Sequence, residues 1–213
     1  MMTSELALNK PTDIISWLVS FVQNNPADNY VIENSFAQSD SENIAASLKG
    51  DGNAFAELIK RYQNKIAAKM RWFTRDRHYF EELVQDVFVE AYKSLPSFKQ
   101  DSPFLPWLMK IAVRVGYRHW SKTSAIPKEV SLNELDEIVT SNKDVTPSRA
   151  AEAIHNLLAN LSPKDRLVLT LIYLEECSIA EASKLTGWSK IMVKVRAHRA
   201  RGKLKQILSE KIL

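Results

Sequence analysis

The sequence predicts an all-α protein, with two small helical domains joined by a flexible acidic linker. Apolar residues recur at helical spacing along most of the chain, and no segment shows the apolar and polar alternation typical of strands. This helical pattern fails between 125 and 149, where prolines and acids are scattered. Only 5 glycines and 8 prolines occur among 213 residues, which excludes collagen-like or low-complexity organisation.

The pattern divides the chain into an N-terminal extension (1–42), a first helical domain (43–124), a linker (125–149) and a second helical domain (150–213). Asp13 can cap a short apolar helix over 14–23. The first domain is predicted to contain a helix from about Ser41 with a break at 50–53, and helices over 54–73, 79–95 and 107–122. The second domain is predicted to contain helical segments over 150–161, 162–176 and 178–208, the last divided by a turn at 186–188, and Ser162 before Pro163 is a strong helix start.

The net charge of +4 hides a segregation of charge along the chain. Residues 1–50 carry a net charge of −4, 51–125 carry +5, 126–160 carry −3 and 161–213 carry +6. Two basic blocks are therefore separated by an acidic one. This asymmetry favours a polyanionic partner for the basic blocks.

Several functional classes are disfavoured by the residues present. Cys177 is the single cysteine, so we expect a small buried side chain in a reducing compartment. No apolar run approaches the roughly 18 residues of a membrane helix, and no secretory signal is recognisable, so we expect a cytoplasmic protein without membrane insertion. The histidines show neither triad nor metal spacing, and no phosphate-binding glycine loop occurs. We therefore expect no enzymatic activity, cofactor or metal.

The segment SKIMVKVRAHRARGKLK (189–205) carries seven Lys and Arg, one His and no acid. On a helical wheel the core-facing positions are Val193, Ala197, Ala200, Leu204 and Leu208. A short amphipathic stretch and a glycine turn (186–188) precede it, and Ser189 can cap it. This arrangement is typical of a DNA-binding helix-turn-helix. A merely solvated surface is the alternative, but it leaves repulsions of about 0.2–0.5 kcal/mol per like-charged pair uncompensated.

The first basic block contains two further patterns. Acids at Glu82, Asp86 and Glu90 form an i,i+4,i+8 stripe that a basic partner would relieve, although an ordinary exposed acidic face is an alternative. In PSFKQDSPF (96–104), an aromatic residue beside polar ones suits the capture of an unstacked base. Cations at 114, 118 and 122 form a stripe suited to phosphates.

These segments together resemble the bacterial extracytoplasmic-function (ECF) sigma factors, which are promoter-specificity subunits of RNA polymerase. DGNAFAELIKRY (51–62), ELVQDVFVEAYKSL (82–95) and SFKQDSPFLPWLMKIAV (97–113) resemble the second conserved region of the family, and 161–187 with VKVRAHRARGKL (193–204) resemble the fourth. The resemblance implies core RNA polymerase, promoter DNA and an anti-sigma protein as partners. It also implies recognition of the minus-10 and minus-35 elements and melting of the minus-10 region.

The resemblance assigns three sets of contacts. Core polymerase would contact Glu82, Gln85 and Asp86. Minus-10 DNA would contact Phe98, Lys99, Gln100, Trp107, Arg114, Arg118 and Lys122. Minus-35 DNA would contact Ser189, Lys190, Ile191, Lys194, Val195, Arg196, His198, Arg199 and Arg201.

Some of these positions have alternatives or depart from the family pattern. Trp107 is also spaced with Ile111 as a core residue would be. Some relatives carry Asn where this chain has Arg114. The family usually has Gly-Thr at 191–192 and a small polar residue at 195, so we hypothesise that Ile191 and Val195 make the promoter preference unusual.

The acidic linker and the N-terminal extension remain open to several interpretations. The resemblance places the linker in the polymerase interior, where acids can imitate a nucleic-acid backbone, but a simple tether fits equally well. The acids concerned are Glu129, Glu134, Asp136, Glu137 and Asp144. The apolar run 14–22 needs a cover, from its own domains or from an anti-sigma partner, unless it is a poorly ordered extension or a start-site artefact.

The alternative function is a stand-alone helix-turn-helix regulator that binds duplex DNA without polymerase. The acidic helix over 79–95 discriminates between the two hypotheses. A repressor or activator of that kind has no need of a polymerase-docking face.

Overall fold

Eight α-helices make up most of the computed structural model, which describes residues 36–123 and 147–212, and no strand occurs within these two ranges. The all-α prediction is confirmed. The described helices belong to two compact units, each with its own core. The predicted helix over 14–23 and the acids assigned to the linker lie outside the described residues.

The first unit contains α1 (Phe36–Leu48), α2 (Gly52–Met70), α3 (Arg77–Ser94), a 3₁₀ turn (Leu95–Ser97) and α4 (Phe104–Thr123). Asp51 caps α2, since its carboxylate accepts from the Asn53 backbone N–H at 2.9 Å. Asp76 caps α3 in the same way, accepting from the His78 N–H at 2.9 Å. Two aspartates therefore determine where these helices begin.

The core of this unit is closed by a contact between Phe73 and α4. The Trp120 indole N–H donates to the Phe73 carbonyl at 2.6 Å, and the two rings lie 4.5 Å apart. Gly116 lies directly beneath the Phe73 ring, because a Cβ there would be only 2.3 Å from ring carbons. Glycine is thus the residue that lets α4 approach the chain at Phe73.

A buried carboxylate joins α1 to α2. Asp40 accepts hydrogen bonds from the Arg61 guanidinium and from the Tyr62 hydroxyl. Burial raises the pKa of Tyr62, and the neighbouring Asp40 raises it further. The phenol therefore stays protonated and acts as a donor.

Two helix starts differ from the prediction. α4 begins at Phe104, three residues before the predicted start, and so contains Pro106 in its first turn. A proline is tolerated there because the first backbone N–H groups of a helix have no intrahelical acceptor. α1 begins at Phe36, whereas the pattern predicted a start near Ser41.

The second unit contains α5 (Pro147–Ala159), α6 (Pro163–Leu169), a π-helical turn (Thr170–Leu174), α7 (Ile179–Thr186) and α8 (Lys190–Ile212). Ser162 caps α6 as predicted, accepting from the Asp165 N–H at 3.3 Å. The single helix predicted over 162–176 is wrong. Its second half widens into the π turn, and the positive φ of Glu176 (52°) ends it.

Candidate nucleic-acid interface

The last helix, α8, buries one narrow stripe of side chains. The five residues predicted to face the core are all buried, with exposed fractions of at most 7%. They are Val193, Ala197, Ala200, Leu204 and Leu208. Because this stripe is narrow, the remaining circumference of α8 is left for the cationic side chains, as the helical wheel predicted.

The turn before α8 has the geometry of a helix-turn-helix. Gly187 adopts a φ of +76°, a conformation that strains residues with a side chain. The Ser183 hydroxyl donates to the Trp188 carbonyl at 2.6 Å, which fixes the chain after the glycine. Ser189 then caps α8, accepting from the Met192 N–H at 3.2 Å. The predicted glycine turn and serine cap are both confirmed.

The first two turns of α8 present apolar side chains to solvent beside cations. Ile191 is 77% exposed and Val195 is 41% exposed. Exposed cationic and imidazole side chains lie on the same helix. Among them are Lys190, Lys194, His198, Arg199 and Arg201.

A buried carboxylate on α6 holds two cations of α8. Asp165 accepts from the Arg196 guanidinium at 3.0 Å and from the Lys203 ammonium at 2.7 Å. The guanidinium also lies 5.8 Å from the Trp188 ring centroid. Burial by itself would raise the pKa of Asp165, but the hydrogen bonds from Lys203, Ser162 and Arg196 outweigh it and lower the pKa.

This carboxylate bears on two sequence-based expectations. The basic segment contains no acid, but Asp165 compensates two of its seven cations from 31 and 38 residues away. Arg196, predicted to contact minus-35 DNA, has a side chain that is 29% exposed, and its guanidinium is paired with the buried Asp165 carboxylate. The cations that remain exposed beside it are therefore better placed for a polyanion.

The acidic residues of α3 lie on the surface as expected. Glu82, Gln85 and Asp86 are all exposed, whereas Leu83, Val87 and Ala91 of the same helix are buried. Glu90, the last acid of the stripe, accepts from Arg118 of α4 at 3.1 Å. Arg118 of the same unit therefore compensates the negative charge of Glu90.

An apolar groove of about 650 Å³ runs between α2 and α3, directly beside this acidic face. Phe55 and Ile59 line it from α2, and Val89 and Tyr92 line it from α3. Val89 and Tyr92 are strongly exposed, and Gln85 belongs to both the groove and the acidic face. The polar face and the groove therefore form one continuous surface.

The segment before α4 forms an aromatic cluster. Phe98 packs on Trp107 and Phe104, with ring centroids 4.9 and 5.8 Å away. Phe98 is only 8% exposed, so it does not present an open ring face, contrary to the role predicted for it. Trp107 is half-buried, and its outer part is the aromatic surface that the cluster leaves accessible.

Two family models match this chain, one over each helical unit. The Sigma-70 region 2 model matches residues 58–126, and the Sigma-70 region 4 model matches residues 151–204. Together they cover more than half of the chain, in the order in which the two basic blocks occur. Both models describe regions of sigma-70 factors, so the chain belongs to the sigma factors.

Curated relatives support the ECF group. The chain is similar to the ECF sigma factor SigM of Mycobacterium tuberculosis, with 25% identity over 80% of this chain and 85% of the relative. It is also similar to SigW of Bacillus subtilis (28%, 76% and 92%) and to the ECF sigma-E factor of Escherichia coli (29%, 72% and 85%). Among solved structures, CnrH in complex with the cytosolic domain of CnrY shares 26% identity and a TM-score of 0.52, covering 81% of this chain and 98% of CnrH.

As an ECF sigma factor, the protein directs RNA polymerase to promoters, and it binds both the core enzyme and promoter DNA. Sigma factors are transcription initiation factors. A stand-alone DNA-binding regulator is not favoured, because region 2, which matches residues 58–126, accompanies the helix-turn-helix.

In this sigma factor, α4 carries its predicted cations on the outside. Arg114, Arg118 and Lys122 are exposed at successive helical turns, and Arg118 is shared with Glu90. Lys99 and Gln100 are exposed in the loop before α4. Gln100 has a φ of +56°, a strained conformation for a residue with a side chain.

Sequence reasoning missed Asp165 and the groove between α2 and α3. An acid in the first turn of α6 looks like an ordinary helix-dipole residue, and no local pattern relates it to Arg196. Within the described residues, no cluster of three or more metal-ligating side chains occurs, and no helix is both long and apolar enough to cross a membrane. Cys177, predicted to be buried, is half-buried.

Proposed function

We propose that the sigma factor divides promoter recognition between its two helical units, with region 2 near residues 43–124 and region 4 near 150–213. Region 2 docks on core polymerase and holds minus-10 DNA, while α8 of region 4 enters the major groove of the minus-35 element. The main support for this division is α8, the helix that follows the Gly187 turn, because its solvent-facing side is exposed and cationic. The N-terminal part of such a helix contacts base edges.

Core polymerase docks on the α3 surface through Glu82, Gln85 and Asp86. These polar side chains border the apolar groove, and that combination suits a protein partner. Basic groups of the polymerase would face the carboxylates, and apolar groups would cover Val89 and Tyr92.

Minus-10 DNA binds at the start of α4. Trp107 offers its accessible aromatic surface for stacking, and Lys99 and Gln100 offer hydrogen bonds to an unstacked base. Phe98 acts indirectly, since its buried ring supports Trp107 from behind. Arg114, Arg118 and Lys122 bind the phosphates of the opened strand.

Minus-35 DNA binds the exposed face of α8 through Ser189, Lys190, Ile191, Lys194, Val195, His198, Arg199 and Arg201. Arg196 belongs instead to the internal pair with Asp165. The sigma factor acts in the cytoplasm, where polymerase and promoters are found, and it supplies no catalytic chemistry of its own.

Regulation by a protein partner is also proposed. CnrH, similar to this chain over most of its length, was solved with the cytosolic domain of CnrY. By analogy, an anti-sigma protein binds this chain and competes with polymerase. The groove beside the acidic face is a suitable surface, because its occupation would cover Gln85.

Retention of core RNA polymerase tests the proposal. We expect the wild-type protein to retain the core enzyme and to produce transcripts with discrete start sites in vitro. Asp86→Arg reverses a charge on the docking face and should abolish both. Glu42→Arg makes the same change on an exposed residue of α1 and should preserve both. Equal retention of the two variants would contradict the docking face.

A further inference from the structure

We infer that Ile191 and Val195 read the 5-methyl groups of thymines in the minus-35 element. The inference rests on the proposed role of α8 and makes its base preference specific. The contact with the methyl group is apolar, so it is assigned to the two apolar side chains and not to the cationic residues around them.

The first observation that supports the inference is the exposure and spacing of the two side chains. Ile191 and Val195 are 77% and 41% exposed, and within the described side chains of the second unit no other large apolar residue is comparably exposed. They lie one helical turn apart, in the first two turns of α8. In a helix-turn-helix, these turns of the second helix face the base edges.

The second observation concerns Arg196, a side chain that could otherwise recognise guanine at the same surface. Arg196 is the only arginine in the first two turns of α8. Arginine is the commonest reader of guanine, through a bidentate contact with O6 and N7. Its guanidinium is instead paired with Asp165 at 3.0 Å and lies near the Trp188 ring. The surface near the bases is therefore apolar at Ile191 and Val195, with Lys190 and Lys194 beside them for phosphates.

The chemistry of the major groove then selects the ligand. The thymine C5-methyl is the apolar group that the four base pairs present there. Side chains four residues apart are separated by about 6 Å along the helix, which corresponds to roughly two base-pair rises. The expected target is a pair of thymines about two steps apart.

Replacing thymine by deoxyuridine removes only the methyl group and therefore isolates this contact. The promoter is first mapped from the transcripts made by holoenzyme, and each minus-35 thymine is then replaced in turn. Wild-type holoenzyme should lose about fourfold in promoter affinity at each of two positions, the factor expected for one buried methyl-sized group.

Protein variants provide the complementary arm of the experiment. With Ile191→Ser, replacement at one of the two positions should no longer matter, and with Val195→Ser replacement at the other should no longer matter. Lys194→Ala should weaken binding to all duplexes but preserve the thymine-to-deoxyuridine ratio, as expected for a phosphate contact. Both serine changes lie at exposed positions, so unchanged thermal unfolding verifies the fold.

A wild-type holoenzyme that binds both DNAs equally, or a mapped minus-35 element without thymine, would overturn the inference. Promoter-specific transcription would then remain, and the proposed function would stand. Loss of core retention and of discrete transcripts would instead overturn the proposed function itself, and the inference with it.

Discussion

Arg118 on α4 and Arg196 on α8 are both cations of proposed DNA-binding helices, and each pairs with a carboxylate on a neighbouring helix. Their partners differ in burial. The Glu90 side chain is 33% exposed, whereas that of Asp165 is 5% exposed. An exposed pair is weak and can open when a phosphate arrives, but separating a buried pair leaves an uncompensated charge. Burial of the acid therefore decides which arginines remain available to DNA.

The two helices also differ in what holds them in place. α4 is anchored mainly by the packing of its own Trp120 against Phe73, with ring centroids 4.5 Å apart. α8 combines a narrow apolar stripe with the Asp165 ion pairs. We therefore expect α4 to be destabilised mainly by changes in side-chain volume, and α8 mainly by changes in charge.

Gly116→Ala should have the largest effect. The new methyl group would lie 2.3 Å from Phe73 ring carbons, so the ring or the helix must move. Because three ring carbons lie within 2.5 Å of the new methyl group, we expect a loss of about 3 kcal/mol or more of unfolding free energy, measured by urea denaturation. Gly202→Ala is the matched control in α8, where a Cβ meets nothing within 4 Å and should stabilise the helix by up to about 1 kcal/mol. Equal effects of the two changes would contradict the packing argument.

Asp165→Asn should have the next largest effect. It removes a carboxylate that accepts from two cations at 3.0 and 2.7 Å, and hydrogen bonds to charged groups contribute about 1.5–3 kcal/mol. We expect a loss in this range for the full-length chain by urea denaturation. Arg196 and Lys203 would also be released, so the dependence of promoter binding on salt should steepen by up to about 0.9 per released cation. An unchanged slope would show that the release does not occur.

The pH dependence of stability should report the same carboxylate. The pKa of Asp165 is lower in the folded protein than its ordinary value of 3.8. Its stabilising contribution is therefore complete above that value and is lost as the pH falls through the lower folded pKa. We expect the difference in Tm between the wild type and Asp165→Asn to be constant near neutral pH and to shrink below about pH 4. A difference that grows on acidification would contradict this sign.

Glu90→Gln should have the smallest effect. The Arg118–Glu90 pair joins partly exposed side chains at 3.1 Å, and pairs of this kind contribute less than about 1 kcal/mol. Unfolding free energy should fall by less than that amount, whereas affinity for minus-10 single strands should rise slightly because Arg118 is released. A loss of unfolding free energy as large as that of Asp165→Asn would contradict the expected difference in strength between the Arg118–Glu90 pair and the Arg196–Asp165 pair.

Local features were predictable from the sequence. The all-α class, the serine caps at 162 and 189, the Gly187 turn and the buried stripe of α8 depend on residues within a few positions of each other. Periodicity and capping chemistry act over that range, which is why these predictions are confirmed. The exposure of Glu82, Gln85 and Asp86 also agrees with the helical wheel.

The tertiary structure decided the features that depend on distant residues. Only packing shows that Phe98 is buried behind Trp107, that Gly116 makes room for Phe73, and that Arg196 is paired with the buried Asp165. Arg196 and Asp165 are 31 residues apart, so no periodic pattern relates them. Local sequence patterns were enough to predict most of the helices and the apolar stripe of α8. They could not predict that Arg196 and Lys203 are neutralised, because that depends on the distant carboxylate that folding places beside them.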